Sequence, residues 1–258
     1  MTLLVLADSS DETAVRFTHF ASGRGVETVV VADFDRLAVT VTVSRDLTSR
    51  STILVDGRPP AGVFCRGRLD SSPPSAPSAR FAASEQQAAL WAALALWPGP
   101  VINRPTVHGY PPRLDPLELA SSTPGIRPAG TVTNGRDATG NHAYRISCAT
   151  QLDPDARDVY DVVHLTQIDE RRTHQLLFAG TSTFEVSGPA HELDLAHRVV
   201  IRRWLQAKQT DFAIVTVDTC DCQNGELRLL EAAPWANHHQ FWSVEDAAYT
   251  ALLDRLVR

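Results

Sequence analysis

Two acids stand where strand-like runs stop. Asp218 closes the apolar run Phe212 to Val217, and Glu231 follows Leu227 to Leu230, with Gln223-Asn224-Gly225 between them as a turn. Joined as a hairpin, the strands would set the two carboxylates side by side. Such a pair suits Mg²⁺, a hard cation that takes few carboxylates and completes a near-octahedral shell with water or phosphate oxygens. Two solvated strand-end acids would show the same spacing. Cys220-Asp221-Cys222 with His238-His239 could be read as zinc ligands. However, Cys-x-Cys departs from the usual two-residue spacing, and adjacent imidazoles do not readily turn to one ion. Arg171-Arg172, Arg198 and Arg202-Arg203 could cradle a carboxylate or phosphate, or could simply be surface charge. The segment Pro234 to Trp242 packs Trp235, His238, His239, Phe241 and Trp242 into a short stretch, a composition over-represented at binding surfaces. The same residues could instead tuck over a core.

Other chemistries are excluded by what is missing. Of 24 basic residues only Lys208 is a lysine, and no glycine-rich loop precedes it, so there is no phosphate-binding loop of the Walker type. Lys208 ends an amphipathic helical pattern, where a solvated lysine is expected rather than a Schiff base. There is no Gly-x-Ser-x-Gly elbow, and Gly23-Arg24-Gly25 lies between helix and strand, on the wrong side for a dinucleotide fingerprint.

The elements that must position these residues can be read from periodicity. Leu3 to Ala7, a helix over Asp11 to Ala21 and Glu27 to Val31 predict a strand–helix–strand opening and a parallel sheet. Leu37 to Val43 alternates, Ile53-Leu54-Val55 runs into an Asp-Gly turn, and Val63-Phe64-Cys65 is a further short strand. Ser71 to Ser78 reads as an exposed Ser/Pro loop. Ala79 to Trp97 is the longest helix candidate, stopped by Pro98-Gly99-Pro100, and Val101-Ile102-Asn103 follows as a strand. A short helix over Leu114 to Ser121 leads to strands at Gly130 to Thr133, His142 to Thr150, Val159 to Gln167, His174 to Ala179 and Thr183 to Ser187. Helices over Pro189 to Lys208 and Val244 to Val257 complete the pattern. The predicted fold class is α/β plus α+β, with an α/β domain over residues 1–109 and an α+β domain over 110–258.

The chain has 258 residues, 43% hydrophobic and 21% charged, enough to bury a core without disulfide staples. A net charge of −6 argues against coating nucleic acid or an anionic membrane. No apolar run reaches the ~20 residues of a membrane helix. Four cysteines and no leader-like start point to a cytoplasmic protein with free thiols.

The order of short motifs resembles the ATP-grasp ligases that mature ribosomally made peptides, of the microviridin or graspetide type. The match runs from about Val63 onward: Val63-Phe64-Cys65-Arg66, then Phe81 to Glu85, Asn103-Arg104-Pro105, Gly125-Ile126-Arg127-Pro128 and Thr131-Val132-Thr133-Asn134. It continues through a hinge-opening Gln167, the turn at Leu177-Phe178-Ala179-Gly180, and Asp218 with Leu230-Glu231-Ala232-Ala233-Pro234. The resemblance implies a pre-ATP-grasp α/β half, a nucleotide-clamping subdomain and a homodimer. It further implies that Asp218 and Glu231 stand at the metal-binding positions.

The departures from the pattern carry equal weight. The positions of the two ATP-binding lysines look like Arg113 and Arg145, the metal-binding Asn is Ala233, and a phosphate-assisting Arg is Gln175. The clamp segment between Asn134 and Gln167 looks shortened, so the expected fold is a truncated ATP-grasp. Arg113, Arg145, Gln167, Asp218 and Glu231 then read as a vestigial nucleotide and metal site. Losing one metal ligand and two lysines, for which arginine has the charge but not the shape or reach, would remove several kcal/mol of transition-state stabilisation, on the order of thousands-fold in rate. The chain is therefore similar to the catalytically silent ATP-grasp-like proteins of crocagin-type pathways. As such it would bind a precursor peptide through Arg171, Arg172, Trp235, His238, His239 and Trp242, without cofactor, and present it to other enzymes. The alternative is a working ATP- and Mg²⁺-dependent carboxylate–amine or carboxylate–hydroxyl ligase in which Arg113 and Arg145 hold phosphate.

Overall fold

The computed structural model describes residues 1–46, 48–67, 77–106, 109–112, 114–128, 131–133, 144–147, 163–167, 172–189, 193–219 and 227–257. The chain opens with β1 (Thr2–Leu6), α1 (Glu12–Gly23) and β2 (Glu27–Val31), followed by a hairpin of β3 (Leu37–Val43) and β4 (Ser49–Val55). Next come β5 (Gly62–Cys65), α2 (Pro77–Leu96) and β6 (Val101–Ile102). These build a parallel sheet in the order β2-β1-β5-β6, as the strand–helix–strand opening predicts. Parallel strands buried on both faces need continuous apolar runs, and Leu3 to Leu6 and Val63 to Cys65 supply them.

After α3 (Pro116–Ser122) and β7 (Ile126–Pro128) come β8 (Thr131–Thr133), β9 (Tyr144–Ser147) and β10 (Val163–Gln167). These last three pair antiparallel as a small sheet, β8-β10-β9. The remainder is β11 (Thr173–Ala179), β12 (Ser182–Ser187), α4 (Leu195–Ala207), β13 (Phe212–Asp218), β14 (Leu227–Ala233), the single turn α5 (His238–Phe241), a 3₁₀ turn at Trp242–Val244, and α6 (Glu245–Val257). The second large sheet runs β12-β11-β13-β14-β7, antiparallel except for the parallel β14–β7 pair.

The two halves share one core. Leu3, Phe17 and Phe64 of the first pack with Leu177, Phe212, Tyr249 and Leu252 of the second. The sequence boundary near residue 109 therefore falls between segments whose side chains meet. Two polar residues stitch the halves together. Asn103, fully buried at φ 56°, donates from Nδ2 to the Phe212 carbonyl at 2.9 Å and accepts the Phe212 N–H at 2.9 Å, imitating a neighbouring strand residue. Arg66 donates from Nε and Nη2 to Asp11 at 3.0 and 3.2 Å, and from Nη1 to the Ala236 carbonyl at 3.0 Å. Where α6 crosses β5, Gly62 leaves room: a Cβ there would lie 2.6 Å from the Leu256 carbonyl oxygen. No helix among the described residues is long and apolar enough to cross a membrane.

Candidate functional site

β13 is buried along its whole length, and its alternation assigns two faces. Ala213, Val215 and Val217 pack toward Trp204 and Leu205 of α4, while Phe212 and Ile214 pack toward α1 and α6. Thr216 and Asp218 continue the second face. Directly opposed residues share a face, so the register sets Thr173, Asp218 and Arg228 in one row and Gln175, Thr216 and Glu231 in the next.

This corrects the expected geometry. Asp218 and Glu231 lie on one face but not side by side at adjoining ends: Glu231 opposes Thr216, and the residue opposite Asp218 is Arg228. The cause is a β-bulge. Thr216 pairs with Glu231 and Val217 with Leu229, which leaves Leu230 as the extra residue. In a regular strand Arg228 and Glu231, three apart, would point to opposite faces; the bulge turns both to the same one. The sequence did hold a signal for Arg228, a lone cation inside the apolar run Leu227-Arg228-Leu229-Leu230.

Asp218 is fully buried. Its Oδ2 accepts from Nη2 of Arg228, while its Oδ1 and the Arg228 Nε are buried with no hydrogen-bond partner among the described residues. Both carboxylate oxygens are thus removed from solvent, one by an ion pair and one by packing. Mg²⁺ needs carboxylate oxygens it can reach and space for its own waters. Asp218 exposes no oxygen and is already paired with Arg228, Ala233 contributes no side-chain donor, and no group of three His, Cys, Asp or Glu gathers among the described residues. The residues present do not fit the metal ion.

The candidate peptide residues separate. Arg172 sits beside Asp218, where its carbonyl accepts the Thr219 N–H at 3.2 Å. Trp235 comes two residues after Ala233, which pairs with Ile214 near the other end of β13, so about 13 Å of strand at 3.3 Å per residue separates Asp218 from Ile214. Trp235 is half-buried: its Nε1 donates to the Tyr110 hydroxyl at 3.2 Å, and Tyr110 lies between the Trp91 and Trp235 rings. Tyr110 in turn donates to the Cys65 carbonyl at 3.0 Å. Burial raises the Tyr110 phenol and pushes the Cys65 thiol up to about 12. His238 is buried against Phe241 and 3.5 Å from Glu245. Among the described candidates, Arg172 is half-buried and only His239 and Trp242 are exposed, the latter at 71%.

Arg113, Arg171, Cys220 and Cys222 lie outside the described residues. Arg145 and Gln167 lie on β9 and β10, where the backbone register places Gln167 opposite Tyr144 and Arg145 opposite Thr166.

No family model matches the chain, and no curated protein matches its sequence. Solved structures do match over nearly its whole length. The macrocyclase MdnC from Microcystis aeruginosa MRC, solved with its precursor peptide MdnA, is 14% identical over 98% of this chain and 100% of that one, with a TM-score of 0.67. The ATP-grasp ligase PsnB, complexed with minimal precursor, Mg and ADP, is 16% identical over 99% and 98%, with a TM-score of 0.68. A ribosomal-peptide-associated ATP-grasp ligase from Chryseobacterium gregarium, solved with ADP and a leader and core peptide, is 13% identical over 99% and 96%, with a TM-score of 0.65. The chain therefore has the ATP-grasp fold. Within that fold, its structural neighbours are ligases of ribosomal-peptide maturation.

Proposed function

We propose that this chain is a non-catalytic ATP-grasp-fold protein that binds a ribosomally made precursor peptide and presents it to the enzymes that modify it. The fold supports the peptide, since the three neighbours above were solved with precursor, leader or core peptides bound. The observation that carries the non-catalytic part is Asp218: the acid at the resemblance's metal position is buried and already neutralised by Arg228. Phosphoryl transfer needs cations held ready for the developing charge. Here the counter-charge is spent inside the protein. In this role the chain uses no nucleotide and no metal ion, and like the family it resembles it associates as a homodimer.

Of the described residues proposed for the peptide, His239 and Trp242 are the exposed ones. An exposed tryptophan offers large rigid contact area at low entropic cost. The test is a pair of titrations on the purified protein, one with Mg·ATP and one with synthetic precursor peptides, followed by tryptophan fluorescence. Saturable peptide binding that Trp242→Ala weakens at least tenfold, with no saturable nucleotide binding at millimolar concentration, is the expected result. Mg²⁺-dependent ATP binding with turnover of a peptide carboxylate would overturn the reading in favour of the ligase.

A further inference from the structure

An aspartate with no exposed surface must be balanced or discharged, because an unpaired buried carboxylate is strongly disfavoured. Among the described residues one cation meets Asp218, the guanidinium of Arg228, which is itself 35% exposed. The bulge at Leu230 brings it there by placing Arg228 on the same face as Thr216, Glu231 and Gln175. Arg228 thus reaches Asp218 from the neighbouring strand, on the same face as Glu231, and places its charge on the carboxylate oxygen that a metal ion would need.

From this geometry we infer that Arg228 is a built-in cation, a tethered side chain that pairs with the Asp218 carboxylate and keeps divalent metal from it. The inference rests on the non-catalytic reading of this face and deepens it, naming the group that closes the face. A side chain fixed to β14 neutralises Asp218 at every metal concentration, so the β13–β14 pair is as stable without divalent ions as with them. Arginine suits the role better than lysine, since its charge is permanent and its weaker hydration makes burial less costly.

A thermal-denaturation cycle on the full chain with manganese chloride as the probe tests this. Wild type is expected to show no change in Tm up to millimolar MnCl₂. Arg228→Met, which keeps the stem but removes the charge, is expected to lower Tm by about 10 °C, because Asp218 is then buried without its partner. Adding Asp218→Asn to Arg228→Met is expected to recover most of that loss, since neither charge remains. MnCl₂ is expected to raise the Tm of Arg228→Met and leave the double variant unchanged, as binding to the folded state alone requires. Four results would each overturn the inference: Arg228→Met as stable as wild type, a double variant no more stable than Arg228→Met, no response of Arg228→Met to MnCl₂, or a wild-type response that Asp218→Asn abolishes. Should Arg228→Met not fold, the double variant decides, being expected to fold and overturning the inference if it does not. Peptide titration of wild type is independent of all four, so failure of the peptide-binding role is read separately.

Discussion

Replacing Arg66 by methionine tests how the two halves of the chain are joined. Arg66 is 5% exposed, and its guanidinium holds three contacts: two to the Asp11 carboxylate and one to the Ala236 carbonyl. It also stands 5.8 Å from the Phe212 ring centroid. Asp11 belongs to the start of α1, Ala236 to the segment after β14, and Phe212 to β13, so one side chain fixes a helix start of the first half against two pieces of the second. Removing one partner of a buried ion pair costs about 3–5 kcal/mol. The lower figure applies here because the Asp11 side chain keeps 18% exposure and still accepts the Ala14 N–H at 3.0 Å as the cap of α1. Methionine preserves most of the packing over Phe212, so the loss is chiefly polar. About 3 kcal/mol corresponds to a fall in Tm of roughly 6–12 °C for a chain of this size. The assay is thermal and urea denaturation of wild type, Arg66→Met, Asp11→Asn and the double variant. Asn retains the cap, so the cycle isolates the ion pair, with an expected coupling of about 2 kcal/mol. A loss below about 1 kcal/mol for Arg66→Met, or a coupling near zero, would refute the account.

Two further outcomes follow from packing and burial. Gly62→Ala is expected to destabilise by about 1–3 kcal/mol, since its Cβ would stand 2.6 Å from the Leu256 carbonyl and α6 must shift; urea denaturation reads this directly. Cys65, its thiol pushed up to about 12 by burial, is expected to be inert to a thiol reagent at pH 8, so wild type and Cys65→Ala give equal native titres and differ by one thiol after denaturation. Because its pKa is raised in the fold, its contribution to stability is complete below the ordinary thiol value of 9.0 and is lost as pH climbs toward 12. The gap in Tm between wild type and Cys65→Ala is therefore expected to stay constant to about pH 9 and to change only above it.

How much of this was legible in the sequence depends on how local each cause is. The bounds of β2 and β3 are those predicted, because an unbroken run of β-branched residues and a strict alternation are local signals. The helix predicted over Pro189 to Lys208 is observed from Leu195, where the Asp194 side chain accepts the Ala196 N–H and caps it. β7 carries no local strand signal, since what makes it a strand is a parallel partner, β14, about a hundred residues away. The candidate site was half legible. Residue type marked Asp218 and Glu231 as neighbours on one sheet. Their true relation turns on a single extra residue, and alternation alone puts Arg228 on the wrong face. The aromatic segment shows the same limit: composition cannot say that Trp235 has Tyr110 as its partner while Trp242 is exposed.

α6 has a consequence in time. Ala248, Tyr249, Leu252 and Leu256 complete the core begun by Leu3, Phe17 and Phe64, yet α6 follows β5 by about 180 residues. At the ~5–20 residues per second of a ribosome, roughly ten to forty seconds separate synthesis of the first sheet from synthesis of the helix that covers it. During that interval α1 covers part of the apolar face of β1 and β5 through Phe17, and the part that α6 completes stays open. Chaperone occupancy and aggregation during expression should therefore follow the exposure of this face, and both should decline only once α6 has left the exit tunnel.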